Sequence, residues 1–388
     1  MEPVFRDARA PVVMIVAGTR PECIKLAPVI RALAARGRLR GQVVNSGQHR
    51  VAVRDTLASF GIGCDIELDA PPSLPNLRAS YCHLRDRLHA VITASAPDRV
   101  LVQGDTLTAY AGARAGRDAN CPVVHVEAGL RTESVSDPFP EEWFRRRIAR
   151  HASVHFAPSV SAVRHLHREG VDPATIHRTG NTGIDCLRAL LHEWELAGGA
   201  QPDLEPVILV TLHRRENWGR NADVICDALI EIAARRPELR LVFPVHPNPR
   251  VAPRIRRRLG GRPGFQLVAP MAYRDFVRAA ASAALVISDS GGVQEEIPHL
   301  GTPLLVPRTN TERPESIATG FVRLVAADRD LLVNLALELL AAPRRAPLPF
   351  DRHAPYGAGD AGQRIAEILE SHCLGAMPSA AVAEVPLP

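Results

Sequence analysis

The chain repeats one pattern of construction. A short, continuous apolar run is followed by a longer segment whose apolar residues fall at helical spacing. "VVMIVAG" (12–18) precedes "PECIKLAPVIRALAARG", "RVLVQGD" (99–105) precedes "TLTAYAGARAGRDA", and "PVVHVEAG" (122–129) and "SVHFAPS" (153–159) continue the series. Strands without polar alternation must be covered on both faces, which implies parallel sheets with helical crossovers. The pattern then restarts at "PVILVTLH" (206–213) and runs through "LRLVFPVH" (239–246), "FQLVA" (265–269), "AALVISDSGG" (283–292) and "PLLVP" (303–307). Two such series predict an α/β protein of two Rossmann-like, doubly wound domains facing across a cleft. The division expected is 1–180 and 181–358, with a helix at about 359–375 returning to the first domain. The low-complexity stretch 195–206 reads as a linker and 376–388 as a disordered tail.

Composition narrows the function. With 46% hydrophobic and 23% charged residues the chain reads as ordinary globular protein. The net charge of +5 is modest, and the run "RIRRRLGGR" (254–262) reads as a solvated helix face, so no nucleic-acid partner is expected. Seven cysteines without a CxxC pair suggest reduced thiols in a cytoplasm. The opening "MEPVFRDARAP" fits neither a signal peptide nor a membrane span, so the expectation is a cytoplasmic protein with no membrane partner. The absence of Cys/His clusters at ligand spacing predicts no metal and no cofactor.

In doubly wound sheets ligands bind at the carboxyl ends of strands, and the unusual residue clusters lie there. In "ISDSGGVQEEIPHLG" (287–301) a strand enters Ser-Gly-Gly and a helix follows, a geometry that suits phosphate; Glu295 or Glu296 could accept ribose hydroxyls. "HRREN" (213–217) places His213, Arg214 and Arg215 at a strand end, suited to a diphosphate, and Arg313 follows the strand "PLLVP". The first domain offers carboxylates instead: Asp105 and Glu127 at strand ends, and Glu141 and Glu142 at a helix start. Helix-start acids commonly complement the helix dipole, so Asp105 and Glu127 carry more weight. Such acids suggest acid/base work on a sugar nucleotide. One further residue stands out. Lys25 is the single lysine among 47 basic residues.

"GTRPECIKLAP", "SGQHR", "QGDT", "HVEAGLRT", "PEEWFR", "TGNTGID", "HRREN", "VHPNP", "DSGGVQEE" and "TERPE" occur in this order. Together they resemble the non-hydrolysing UDP-N-acetylglucosamine 2-epimerases over roughly residues 12–370. The resemblance implies the GT-B architecture, a UDP-sugar substrate, a homodimer and reversible epimerisation at C2 through a 2-acetamidoglucal. It implies acid/base roles for Asp105, Glu127 and Glu141, with Lys25 beside them and His213 near the diphosphate. Ser290, Gly291 and Gly292 would hold phosphates, Glu296 the ribose, and Arg20 and Phe276 the uracil. Arg145, His246 and Arg313 would complete the pocket, and Gln48 and His49 would contact a second, activating UDP-N-acetylglucosamine. Gln103, Leu107, Phe144 and Thr309 depart from the usual pattern, which has His, Thr, Asn and Asp there. A hydrolysing epimerase, a GT-B glycosyltransferase and a catalytically inert sugar-nucleotide sensor stay open as alternatives.

Overall fold

A computed structural model of the chain describes residues 10–132, 134, 138–196 and 205–375. Most of the expected linker and all of the expected tail lie outside the described residues. The chain divides into two compact units. One runs through Cys186 and resumes at Tyr356; the other is Leu187–Pro355. The first division therefore falls within the helix Thr182–Leu196 rather than before it.

The first unit holds seven strands: β1 (Val12–Ala17), β2 (Arg40–Asn45), β3 (Ile66–Glu67), β4 (Arg99–Gln103), β5 (Val123–Val126), β6 (Val154–Ala157) and β7 (Ile176–Arg178). They form a parallel sheet in the order β3-β2-β1-β4-β5-β6-β7. Alternate residues of β1 serve opposite cores. Val13, Ile15 and Ala17 pack with the helix Arg20–Arg36, whereas Met14 and Val16 pack with the helices Leu77–Ser95 and Leu107–Asp118. That double burial is why the run is apolar throughout.

The second unit holds β8 (Glu205–Thr211), β9 (Arg240–Pro244), β10 (Phe265–Val268), β11 (Ala283–Ser288), β12 (Leu304–Val306) and β13 (Val322–Leu324). The order is β10-β9-β8-β11-β12-β13, again parallel. Both sheets reverse direction once, between β1 and β4 and between β8 and β11. Each thus has a switch-point crevice at the carboxyl ends of those strands.

Two features join distant sequence. The last helix, Ala361–Leu374, buries Ile365, Ala366, Ile368 and Leu369 against Leu26, Val29 and Leu33 of Arg20–Arg36. Gly362 permits the approach, since a Cβ there would lie 2.8 Å from the Pro28 carbonyl. Asp185 caps this helix, accepting from the N–H groups of Gly362 (2.7 Å) and Ala361 (3.2 Å). Burial pushes its carboxyl up to about 7. The arginine run at 254–262 begins as the helix Ala252–Leu259, with Ile255 and Leu259 buried and Arg254 and Arg258 paired to Asp223 and Asp227. No helix among the described residues is long and apolar enough to cross a membrane.

Candidate functional site

In the first unit the ends of β1, β4 and β5 carry one connected set of polar groups. Lys25, on the first helix, donates from Nζ to Glu127 Oε2 at 2.5 Å. The two side chains are only 12% and 9% exposed. Gln103 Nε2 donates to the same oxygen. Glu127 itself holds a left-handed backbone, φ 64°, a conformation unfavourable by roughly 1–3 kcal/mol for a non-glycine residue. Strain of this kind persists where surrounding contacts dictate it, and here a cation and an amide grip the side chain.

Asp105 follows β4. Arg145 binds it through Nε (2.8 Å) and Nη2 (2.6 Å), both on Oδ2. Arg145 also meets Glu142 through Nη1 at 3.0 Å, and Glu142 in turn takes Arg146 Nε at 2.9 Å. Of the two helix-start acids, Glu142 is thus the fully buried anchor of an arginine cluster. Glu141 is half-buried, and its carboxylate forms no ion pair with another described residue. His125 on β5 supports this loop, its Nε2 lying 2.8 Å from the Gly104 carbonyl. Burial pushes His125 down to about 4, so the ring is neutral and that nitrogen carries the donated proton.

Glu22 is the largest omission of the sequence reading. It is fully buried, and burial pushes its carboxyl up to about 7. It accepts from the N–H groups of Gly18 (2.9 Å) and Thr19 (2.6 Å) and from the Thr106 hydroxyl (2.6 Å). The Thr19-x-x-Glu22 spacing of a capping box was the available signal. Gly18 must be glycine because a Cβ would collide with Thr108 Oγ1. Thr108 also donates to Gln48 Oε1 at 2.7 Å, while His49 is exposed at the start of the helix Arg50–Ser59. Arg20 begins the first helix and is half-buried.

In the second unit the ends of β8 and β11 meet through Asp289, which the sequence reading also missed. Fully buried, it accepts from the N–H groups of His213 (2.8 Å) and Arg214 (3.0 Å) and from Asn217 Nδ2 (2.9 Å). It thereby holds the "HRREN" loop in place and leaves His213 exposed, its ring edge-on to His246 at 5.6 Å. His246 Nδ1 accepts from the Asn248 N–H, 3.1 Å.

The helix Gly291–Leu300 starts directly after Ser290, and nothing lies within 4 Å of where a Gly292 Cβ would stand. At Gly291 a Cβ would strike the Arg313 guanidinium, so Arg313 lies across this helix start. Arg313 is paired with Glu295 (2.6 Å) and Glu312. Arg214, of the cluster expected to suit a diphosphate, is likewise paired with Glu312 at 2.8 Å, and Glu295 is engaged by Arg313. Glu296 takes the Tyr273 hydroxyl at 3.2 Å, and Phe276 sits partly buried on the same helix as Tyr273, Tyr273–Ser282.

Of the departures from the usual pattern, Gln103 reaches the cluster directly. Phe144 does not: it is buried and stacks on Tyr110, ring centroids 5.2 Å apart, inside an apolar core. No group of three or more metal-ligating side chains occurs among the described residues.

Two doubly wound sheets, one with carboxylates and a lysine at its switch point, the other with an anion-ready helix start, define a two-Rossmann-domain protein of the GT-B type. The chain belongs to the UDP-N-acetylglucosamine 2-epimerase family, whose model matches residues 31–370. It is 39% identical over 371 residues to the UDP-N-acetylglucosamine 2-epimerase of Escherichia coli K12, covering 93% of this chain and 98% of that one. Its structure is similar to a UDP-GlcNAc 2-epimerase from Neisseria meningitidis bound to UDP-GlcNAc: TM-score 0.85, 34% identity, 92% of this chain and 99% of that one. The Methanocaldococcus jannaschii UDP-GlcNAc 2-epimerase in complex with UDP-GlcNAc and UDP gives TM-score 0.81 at 30% identity, covering 92% and 99%.

Proposed function

We propose that this chain interconverts UDP-N-acetylglucosamine and UDP-N-acetylmannosamine without releasing free sugar. The observation that carries the reading is the Lys25–Glu127–Gln103 set beside Asp105 at the β1/β4 switch point. The C2 proton of a pyranose has no adjacent carbonyl to acidify it. Loss of UDP from C1 supplies the alternative. A base takes the C2 proton, the C2–H pair becomes the C1=C2 bond, and UDP departs with the C1–O pair. UDP oxygen then returns to C1 while a proton reaches C2 on the opposite face.

Asp105, Glu127 and Glu141 are the acid/base groups of this scheme. The Lys25 ammonium donates to Glu127 and so fixes where its carboxyl stands in the site. In the second unit the N–H groups of Ser290, Gly291 and Gly292 receive the phosphates, and His213 assists diphosphate departure. Glu296 binds the ribose; Arg20 and Phe276 hold uracil; Arg145, Arg313 and His246 shape and orient these groups. Gln48 and His49 take a second, activating UDP-N-acetylglucosamine, and the active form is a homodimer. Incubation with UDP-N-acetylglucosamine in heavy water tests the reading. The expected product is UDP-N-acetylmannosamine with deuterium at C2 by NMR. Protium retained at C2 overturns the elimination route, and free N-acetylmannosamine with UDP as the main products overturns the non-hydrolysing one.

A further inference from the structure

Glu22 has no part in the scheme above, yet it is a buried carboxylate between two of its components. A capping-box glutamate ordinarily serves its own helix and lies near the surface. This one is 1% exposed and divides its oxygens between two strand ends. Oε2 accepts from Gly18 and Thr19, the turn that joins β1 to the Lys25 helix. Oε1 accepts from Thr106, which follows Asp105 and whose Oγ1 in turn accepts the Ala109 N–H at 3.0 Å. A single side chain therefore ties the Lys25 helix to the Asp105 loop across the β1/β4 switch point.

We propose that Glu22 is a positioning residue for Asp105, setting where the Asp105 backbone stands relative to Lys25 and Glu127; this rests on the epimerase reading of the site. Asp105 has two tethers. Arg145 holds its carboxylate, and the Thr106–Glu22 contact holds its main chain. The carboxylate must meet C2 within hydrogen-bond reach, and a misplacement of about 1 Å can lower a rate by roughly a hundredfold. Most nucleotide-holding groups of the scheme lie in the second unit, which Glu22 does not touch; Arg20 alone stands beside the Thr19 contact, and Thr106→Val leaves that contact intact.

The test is Glu22→Met, alone and with Thr106→Val, assayed for kcat and KM with UDP-N-acetylglucosamine. A methionine fills much the same space and offers neither Thr106 nor the Gly18–Thr19 turn a carboxylate oxygen, whereas a glutamine could still accept from the turn and donate to the Thr106 hydroxyl. The expected result is kcat lowered at least roughly tenfold, about 1.4 kcal/mol, with KM within about twofold of wild type. Thr106→Val should lose a similar factor, Thr106→Ser should recover most of it, and the double variant should be no worse than either single. A folded Glu22→Met enzyme with wild-type kcat overturns the proposal, as does a double variant whose losses multiply. Should Glu22→Met fail to fold, the Thr106 pair decides: Val as active as Ser overturns the proposal, and Ser active with Val impaired supports it. A wild-type chain inert toward UDP-N-acetylglucosamine refutes the epimerase reading itself, before any variant is compared.

Discussion

Replacing Lys25 by arginine keeps the charge and changes the geometry. An ammonium is a compact donor on a flexible stem, whereas guanidinium is planar and larger. At the Glu127 contact there is no slack: Nζ already stands 2.5 Å from Oε2, both side chains are nearly closed to solvent, and Gln103 occupies the same oxygen. A guanidinium carried on this stem must tilt away or displace Gln103. Either movement weakens a hydrogen bond to a charged group, a contribution of roughly 1.5–3 kcal/mol. At 1.36 kcal/mol per decade that is a loss of about ten- to more than a hundredfold in kcat. Lys25 lies on a helix that accepts either residue, so the melting temperature should hold near wild type. The assay is initial-rate epimerisation followed by NMR, with thermal melting in parallel. A Lys25→Arg enzyme with full kcat refutes the reasoning. Removing the charge as well, in Lys25→Ala, leaves Glu127 buried without its cation, at about 3–5 kcal/mol; a variant that stays as stable as wild type contradicts the pairing.

Asp185 has its folded pKa raised to about 7 against an ordinary value near 4, so the folded state binds the extra proton. The associated stability is complete below about pH 4 and is lost as pH rises through about 7, with Glu22 adding the same sign; Asp185→Asn should therefore flatten the fall in melting temperature between pH 4 and 7, and an unchanged slope counts against it. Gly291→Ala drives a methyl into the Arg313 guanidinium and should weaken UDP binding, measured calorimetrically, by at least roughly tenfold or about 1.4 kcal/mol; unchanged affinity would detach the helix start from the phosphates. Gly362→Ala presses on the Pro28 carbonyl and should destabilise the fold by about 1–3 kcal/mol, seen in chemical denaturation, while kcat per folded molecule is preserved.

Sequence and structure agree where burial is two-sided and diverge where it is not. β1, β4, β8 and β11 are legible because residues on both of their faces enter cores, as Met14 and Ile15 do. β2 opens with Arg-Gly-Gln, and β3, β7 and β13 have two or three residues, too few for any period to register. The site shows a similar split. Asp105, Glu127 and His213 stand at strand ends and announce themselves by position. Glu22 and Asp289 do their work through contacts to residues dozens of positions away, Thr106 in one case and His213 in the other; the capping-box spacing marks Glu22 only as a helix cap, and nothing local marks Asp289. Arg214 and Arg313 read as partners for phosphate because the acids that also hold them, Glu312 for Arg214 and Glu295 for Arg313, become their neighbours only on folding; Glu312 beside Arg313 is the one such pair already adjacent in sequence.

The return of the helix Ala361–Leu374 to the first sheet has a consequence for how the chain comes into being. On the ribosome, β1 and the helix bearing Lys25 emerge first, but Leu26, Val29 and Leu33 wait for Ile365 and Leu369, which emerge last. Through the synthesis of the whole second unit that apolar strip has no covering. A nascent chain halted before Tyr356 could complete its second sheet and still display this strip to chaperones and to other unfinished chains. The unit begun first is thus finished last, and a lesion in the final twenty described residues strikes the packing beneath Lys25 and not the second sheet, which precedes them in sequence.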